Sequence, residues 1–462
     1  MTTISIAPPE ATRASLSPRI RKLVEEPILP TLLKLTAPNL ADAGARVAFL
    51  TLDAYFVSFL GSDALAGVAL VFPFFLTIQT MSGGAMGGGI SSAVARALGA
   101  GRQGDANALV THALVIAVAM AAVFSAIFLL AGPALYRAMG ARGGVLDAAV
   151  TYSFIIFAGG VFVWTSNSLM NVVRGTGAMV VAAAVVCINE IVHVACAPVL
   201  ILGFGSIPSL GVAGAGIGVI ASYVAGTLVL VAYLASRRAA VWFTRAKFER
   251  RLFDAILSVG ALSSVNTLQN QALYIVLGIL AASFGGAALA GYGAAVRLEM
   301  TLMPLVFTVG AASVAMIGAN MGAGETARAV RTAWTAAAIG AAIAGSVGFL
   351  GALFAPQWMA AFTTDPEISA IGASYLRING PMFAIFGAGS ALFFASQGLG
   401  SVGGPLLAIS SRLVLLIAFG WLVMPAFGFG LREVFLANAA SMAWVGCAIM
   451  LVFWRRSRKV AT

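Results

Sequence analysis

The chain has 462 residues, 60% of them Ala, Val, Ile, Leu, Met, Phe, Trp, Tyr or Cys, with 9% charged residues and a mean hydropathy of +0.99. Soluble proteins carry about 25% charged residues. So few charges cannot cover a surface of this size, which excludes a water-soluble enzyme, a nucleic-acid-binding protein and a disulfide-built secreted domain. The formal net charge of +11 sits in short basic segments between apolar runs, a pattern of membrane topology rather than of a polyanion partner.

Residues 1–27 are polar, with Pro8, Pro9, Pro18 and Pro27, and read as a flexible cytosolic tail without the apolar core of a cleavable signal peptide. Twelve apolar stretches follow, each near the ~20 residues that cross a bilayer. They run over roughly 31–59, 64–90, 109–131, 148–170, 178–202, 211–235, 252–282, 287–318, 331–354, 371–395, 404–426 and 431–454. Continuous helical spans satisfy their own backbone groups, and the period-2 pattern of a membrane barrel is absent, so the expected class is an all-α integral membrane protein. Cys187, Cys196 and Cys447 lie inside apolar runs; the first two are nine residues apart on one predicted helix, too far to pair.

The basic residues orient the spans. Arg19, Arg21 and Lys22 precede the first span, Arg96 and Arg102 follow the second, and Arg174 follows the fourth. Arg237, Arg238, Arg245, Lys247, Arg250 and Arg251 follow the sixth, Arg328 and Arg331 the eighth, and Arg455, Arg456, Arg458 and Lys459 close the chain. Apart from Arg137 and Arg142, the intervening loops carry little positive charge. The positive-inside rule then places both termini in the cytoplasm, with a cell (inner) membrane as the setting.

The two halves repeat each other. Ala64-Leu65-Ala66-Gly67 recurs as Ala288-Leu289-Ala290-Gly291, Gly99-Ala100-Gly101 as Gly322-Ala323-Gly324, and Tyr152 with Arg174-Gly175-Thr176-Gly177 as Tyr375 with Gln397-Gly398-Leu399-Gly400. The offsets are 224, 223 and 223, one common shift with a single-residue slip. Six spans per repeat return the chain to its starting side, so the repeats are parallel, with an N-lobe at 28–235, a basic cytosolic linker at 236–251, a C-lobe at 252–454 and a basic tail at 455–462. A substrate cavity between the lobes is the expected transporter architecture.

From about Pro30 to Trp454 the chain resembles the multidrug and toxic compound extrusion (MATE) family. The resemblance rests on Pro38 and the run Leu52-Asp53-Ala54-Tyr55-Phe56-Val57-Ser58-Phe59-Leu60-Gly61, on Arg96-Ala97-Leu98-Gly99-Ala100-Gly101 and Arg174-Gly175-Thr176-Gly177. It extends through Arg297-Leu298-Glu299 and Gly318-Ala319-Asn320-Met321-Gly322-Ala323-Gly324, in this order and with this duplication. It implies a V-shaped pair of six-helix lobes that exports organic compounds against an inward flow of H⁺ or Na⁺. The partners it implies are a small organic substrate, the coupling ion and the lipid bilayer, with no nucleic acid and no cofactor.

Ionisable side chains at the centre of a membrane helix cost about 2.5–3.5 kcal/mol on insertion scales, so each needs a partner or a function. In the first span Asp42 and Arg46 stand four residues apart and can neutralise one another. Asp53 has no basic neighbour at helical spacing. Desolvation favours its neutral form, which makes it a group able to take up and release a proton. Asp53 also matches the N-lobe carboxylate of the DinF-like branch, to which the resemblance assigns cation or proton binding. The fifth span departs from that branch: where the family has Asn and, four residues on, Asp before a Pro, this chain has His193 and Ala197 before Pro198, and a sixth-span Thr is Val219. A Na⁺ site needs several hard oxygen ligands, so the departure favours H⁺. Glu190 lies three residues before His193 on the same face. With Asp53 they form the candidate proton-coupling cluster, and the bland alternative is a Glu190–His193 pair acting as polar glue between helices.

In the C-lobe the secondary candidates are Glu299, Arg297, Arg412 and Asn270. Arg297 and Glu299 cannot share a helix face, and Arg412 on the eleventh span is the expected partner of Glu299. Phe75, Met170, Tyr274 and Met303 are cleft candidates, because aromatic faces attract organic cations and thioethers adapt to varied shapes; core or lipid-facing placement is the alternative for each. The Gly-rich 211–218 and 83–89 segments lie in apolar spans and read as close-packing sites rather than phosphate loops. Neither an ATP-binding motif nor a metal or enzyme signature is present, so an ion gradient is the expected energy source. The rival readings are a lipid-linked oligosaccharide flippase of the same superfamily, which calls for several basic residues facing the cavity, and a non-transporting membrane scaffold.

Overall fold

The computed structural model describes residues 16–461; the side chains of residues 41–43, 45–51, 53–54 and 459–461 lie outside the described residues. The long apolar runs fold as helices throughout, each closing its own backbone hydrogen bonds as a bilayer requires. Helix α1 (Pro18–Glu25) precedes α2 (Ile28–Ser58). The second span is α3 (Ser62–Thr80), a π-turn (Met81–Met86) and α4 (Gly87–Gly99), and the third is α5 (Gln103–Ala138). The fourth is broken at Gly159 into α6 (Gly143–Ala158) and α7 (Gly160–Gly175), bent by 47°. Helices α8 (Met179–Leu202) and α9 (Val212–Ala235) complete the N-lobe.

The C-lobe repeats this plan with α10 (Arg250–Ala282), α11 (Gly286–Gly322) and α12 (Thr326–Leu353), then the short α13 (Ala355–Ala360). Its fourth span is α14 (Pro366–Asn379), a 3₁₀ turn (Gly380–Met382) and α15 (Phe383–Gly398). The last two spans are α16 (Gly403–Ala418), which runs through a π-turn (Phe419–Val423) into α17 (Met424–Phe427), and α18 (Leu431–Ala461). The all-α membrane class and its twelve spans are therefore present, with ends that differ from the hydropathy limits by a few residues to about two turns.

Three glycines with positive φ recur at the repeat offset with nearly the same angle: Gly61 (95°) and Gly285 (103°), Gly101 (70°) and Gly324 (79°), Gly177 (77°) and Gly400 (76°). The lobes meet along α4 and α11, and the contact is reciprocal. A Cβ on Gly99 would lie 2.1 Å from the Ala319 carbonyl oxygen, and one on Gly322 would lie 2.2 Å from that of Arg96. Those four residues are related by the 223-residue offset, so a pseudo-two-fold axis passes between α4 and α11. Only glycine lets the two backbones approach this closely. Ser92 Oγ adds a 2.5 Å bond to the Gln397 carbonyl, Arg96 Nη2 donates to the Ala255 carbonyl at 3.2 Å, and the Arg174 guanidinium lies over the Phe307 ring at 5.6 Å. The close glycine contacts lie at the ends of α4 and α11 that carry the basic loops, and Gln271 Nε2, donating to Thr77 Oγ1 at 3.2 Å, joins the lobes farther along the same seam.

One segment differs from the sequence expectation. The stretch 1–27 reads as a flexible tail, yet Pro18–Glu25 is helical, started by Ser17 and Pro18, with Ile20, Leu23 and Val24 buried. Its last carbonyls are capped by the C-lobe: Asn320 Nδ2 donates to Leu23 O at 3.1 Å, and Arg328 to Glu26 O. The 236–251 linker is docked as a strap along α5. Gln103 Nε2 donates to Ala240 O (2.8 Å), Asn107 Oδ1 accepts from Trp242 N–H (3.1 Å), Thr111 Oγ1 donates to Thr244 O (3.3 Å), and His112 Nε2 accepts from Glu249 N–H (3.0 Å). One helical turn of α5 rises about as far as two residues of extended chain, which keeps the two in register. Arg251 closes the strap with a fork on Asp105 at 2.6 and 2.7 Å.

Candidate functional site

Helix α2, which carries Asp53 on its backbone, packs against α8, which carries Glu190 and His193. The Asp42, Arg46 and Asp53 side chains lie outside the described residues. His193 is fully buried and Glu190 half-buried. The α8 face continues through Asn189, against which Gly226 of α9 fits: a Cβ there would meet Asn189 Oδ1 at 2.2 Å. Val219 and Ala197 are both fully buried, and a Cβ on Gly218 would lie 3.1 Å from that of Ala197. This stretch of the α8–α9 interface is packed by hydrocarbon.

The C-lobe contains a larger polar cluster built from four spans. Glu299 (α11) is 2% exposed and accepts a hydrogen bond from the Tyr375 hydroxyl (α14). Asn438 (α18) Nδ2 donates to Tyr375 Oη at 3.3 Å and to Asn379 Oδ1 at 3.0 Å. Arg412 (α16) then donates from Nη2 to Asn438 Oδ1 and from Nε to Ser441 Oγ, both at 3.1 Å, and stacks over the Phe386 ring at 5.2 Å. Glu299 and Arg412 thus belong to one network, linked through Tyr375 and Asn438 instead of by a direct ion pair. Charged groups withdrawn from water need this degree of hydrogen bonding to be tolerated.

The other sequence candidates are dispersed. Arg297 points away from Glu299, is exposed, and lies over the Phe362 ring at 5.3 Å. Asn270 bonds within its own helix to Asn266 Oδ1 at 3.3 Å. Phe75 and Met170 are each 1% exposed inside the N-lobe core, and Phe75 sits edge-on to Tyr223. Core placement, the alternative reading for both, is what this structure has; they do not face open space. Tyr274 and Met303 are half-buried and pack on C-lobe cores. Tyr375, Asn379, Asn438 and Ser441 were not among the sequence candidates. Their only signals are an i,i+4 Tyr–Asn and an i,i+3 Asn–Ser spacing on two separate spans. Among the described residues no group of three His, Cys, Asp or Glu side chains is placed to hold a metal ion.

The MatE family model matches residues 46–199 and 263–422, one block in each lobe. A FAD transporter of Shewanella oneidensis is 27% identical over 75% of this chain and 77% of its own length. The probable multidrug resistance protein YoeA of Bacillus subtilis is 25% identical over 71% and 72%. A solved MOP-superfamily transporter of Pyrococcus furiosus superposes with a TM-score of 0.87 at 24% identity, covering 97% of this chain and 99% of that one. The chain belongs to the MatE family and is a multi-pass membrane transporter of small molecules, not an enzyme.

Proposed function

We propose that the protein is a secondary antiporter that exports amphipathic, cationic organic compounds in exchange for inward H⁺, with the basic loops and both termini in the cytoplasm of a cell (inner) membrane. The observation that carries this reading is the reciprocal Gly99/Gly322 seal between two repeat-related lobes. A close contact of small residues between repeat-related lobes can open and close as an alternating-access cycle requires; with the basic loops in the cytoplasm, this reading makes the closed end the cytoplasmic one.

Proton coupling is assigned to Asp53, Glu190 and His193. The packing of α2 on α8 supports this, as does the hydrocarbon at Ala197 and Val219, which disfavours Na⁺. The DinF-like branch is the one whose N-lobe carboxylate Asp53 matches. Substrate class follows the multidrug relatives, while the FAD transporter among the similar proteins makes an anionic aromatic dinucleotide the competing substrate. The test is efflux of ethidium and, separately, of FAD from proteoliposomes under an imposed pH gradient and an imposed Na⁺ gradient. The reading expects ethidium efflux that follows the pH gradient, ignores Na⁺ and is lost in Asp53→Asn. FAD as the sole substrate would overturn the substrate class, and Na⁺-driven efflux the coupling ion.

A further inference from the structure

The repeat offset changes from 224 at Gly67/Gly291 to 223 at Gly99/Gly322, so the second span of the N-lobe holds one residue more than its C-lobe mate. The structure shows where that residue goes. Helix α11 runs unbroken from Gly286 to Gly322, whereas its mate is interrupted by the π-turn Met81–Met86, the form in which a helix absorbs a single inserted residue. Two asparagines on one face of α7 brace the turn: Asn167 Nδ2 donates to Ser82 Oγ at 2.8 Å, and Asn171 Nδ2 to the Gly83 carbonyl at 3.0 Å. At the repeat-equivalent positions the C-lobe has Ser390 and Phe394. Phe394 fills the space beside Gly310 that Asn171 fills beside Gly87.

At the same depth α11 has its own weak point. Pro304, the mate of Thr80, stands inside the helix and removes one backbone hydrogen bond. Immediately beyond the π-turn, α4 is gripped from three directions. A Cβ on Gly87 would meet Asn171 at 2.3 Å, one on Gly88 would meet Gln397 at 1.9 Å, and one on Gly89 would meet the Ile256 carbonyl at 2.5 Å. Both central helices are thus weakened where the sealed half gives way to the rest of the lobe.

We propose that the π-turn Met81–Met86 and Pro304 are a matched pair of flexure points about which the second and eighth spans bend during the transport cycle, with Asn167 and Asn171 as the positioning residues that hold the N-lobe one. The repeats build the same joint by different means, an inserted residue in one and a proline in the other. Kinks in helices arise at such features.

Amide hydrogen exchange on the full chain in nanodiscs reads the joint without reference to substrate or ion. Exchange at 81–86 is expected to be at least about tenfold faster than at the flanking 90–98, which contains no internal proline. Deleting Gly84 removes the surplus residue and makes the span match α11. Exchange should then fall to the flanking level, with ethidium turnover at least about tenfold lower and ethidium Kd within about twofold of wild type. If that deletion fails to fold, Asn171→Leu and Pro304→Ala carry the test. Asn171→Leu should quicken exchange at 81–86 by removing the brace, and Pro304→Ala should slow exchange at 300–304 together with turnover. Exchange at 81–86 no faster than at 90–98 overturns the proposal. So does a folded Gly84 deletion with wild-type turnover, or the absence of any change at either site in the two point variants.

Discussion

The two lobes share a fold and differ in where they keep charge. Upstream of the π-turn the repeat offset is 224, which makes Phe75 the mate of Glu299. Both are buried, yet Phe75 sits in hydrocarbon beside Tyr223 while Glu299 is bonded to Tyr375 and belongs to the network that ends at Arg412. In the N-lobe the candidate coupling residues stand elsewhere, on α8 and on the α2 helix packed against it. One duplicated scaffold therefore holds a carboxylate compensated within its lobe on one side and the candidate coupling residues on the other. Charge in these lobes is a property of individual positions, whereas the helix contacts at the seam are common to both.

The largest effect is expected from Arg412→Met. It takes the cation out of the network that holds Glu299 and leaves Asn438 Oδ1 and Ser441 Oγ without their donor, at a cost of about 1–3 kcal/mol for each buried group so orphaned. A fall in the thermal midpoint in detergent checks this, and adding Glu299→Gln to the same protein should recover part of the loss. No recovery would mean that the two side chains are independent, which would break the contrast between the lobes.

Next come the seam glycines. Gly99→Ala and Gly322→Ala each place a methyl group against a carbonyl oxygen of the facing helix, so each should favour the state in which the basic side opens. Because the two contacts are related by pseudo-two-fold symmetry, the two variants should raise thiol accessibility at Ala97→Cys to a similar extent, in a background lacking Cys187, Cys196 and Cys447. A large effect from one and none from the other would show that the seal is not shared equally. Tyr375→Phe is the mildest change. It removes the hydroxyl that donates to Glu299 and accepts from Asn438 Nδ2, at a cost of about 1–3 kcal/mol, without loss of charge balance. Thermal melts of the variant check this.

The spans, their number and the duplication were legible because bilayer thickness dictates apolar runs and because matching motifs share one offset. The slip from 224 to 223 was legible as well, but not its form: an inserted residue leaves no hydropathy signal, and Ser82, Asn167 and Asn171 find each other only across two helices. The C-lobe network was half visible. Glu299 and Arg412 stand out as charges in apolar spans, whereas Tyr375, Asn379, Asn438 and Ser441 resemble ordinary interhelical polar residues until folding gathers them. Helix α1 is hidden in the sequence because its Pro-rich setting resembles a tail, although Ile20, Leu23 and Val24 have helical spacing behind Ser17 and Pro18. The docked linker was hidden for a related reason: Gln103, Asn107 and Thr111 form a polar ladder whose partners are backbone atoms, which carry no sequence signal.

The central claim is that coupling resides in the N-lobe and that the C-lobe carboxylate is structural. It is tested most directly by pH-gradient-driven ethidium efflux from proteoliposomes containing Asp53→Asn or Glu299→Gln, each at matched folded protein. The account predicts that Asp53→Asn abolishes the response to the gradient while Glu299→Gln retains it at reduced thermal stability. Retention in Asp53→Asn together with loss in Glu299→Gln would contradict it.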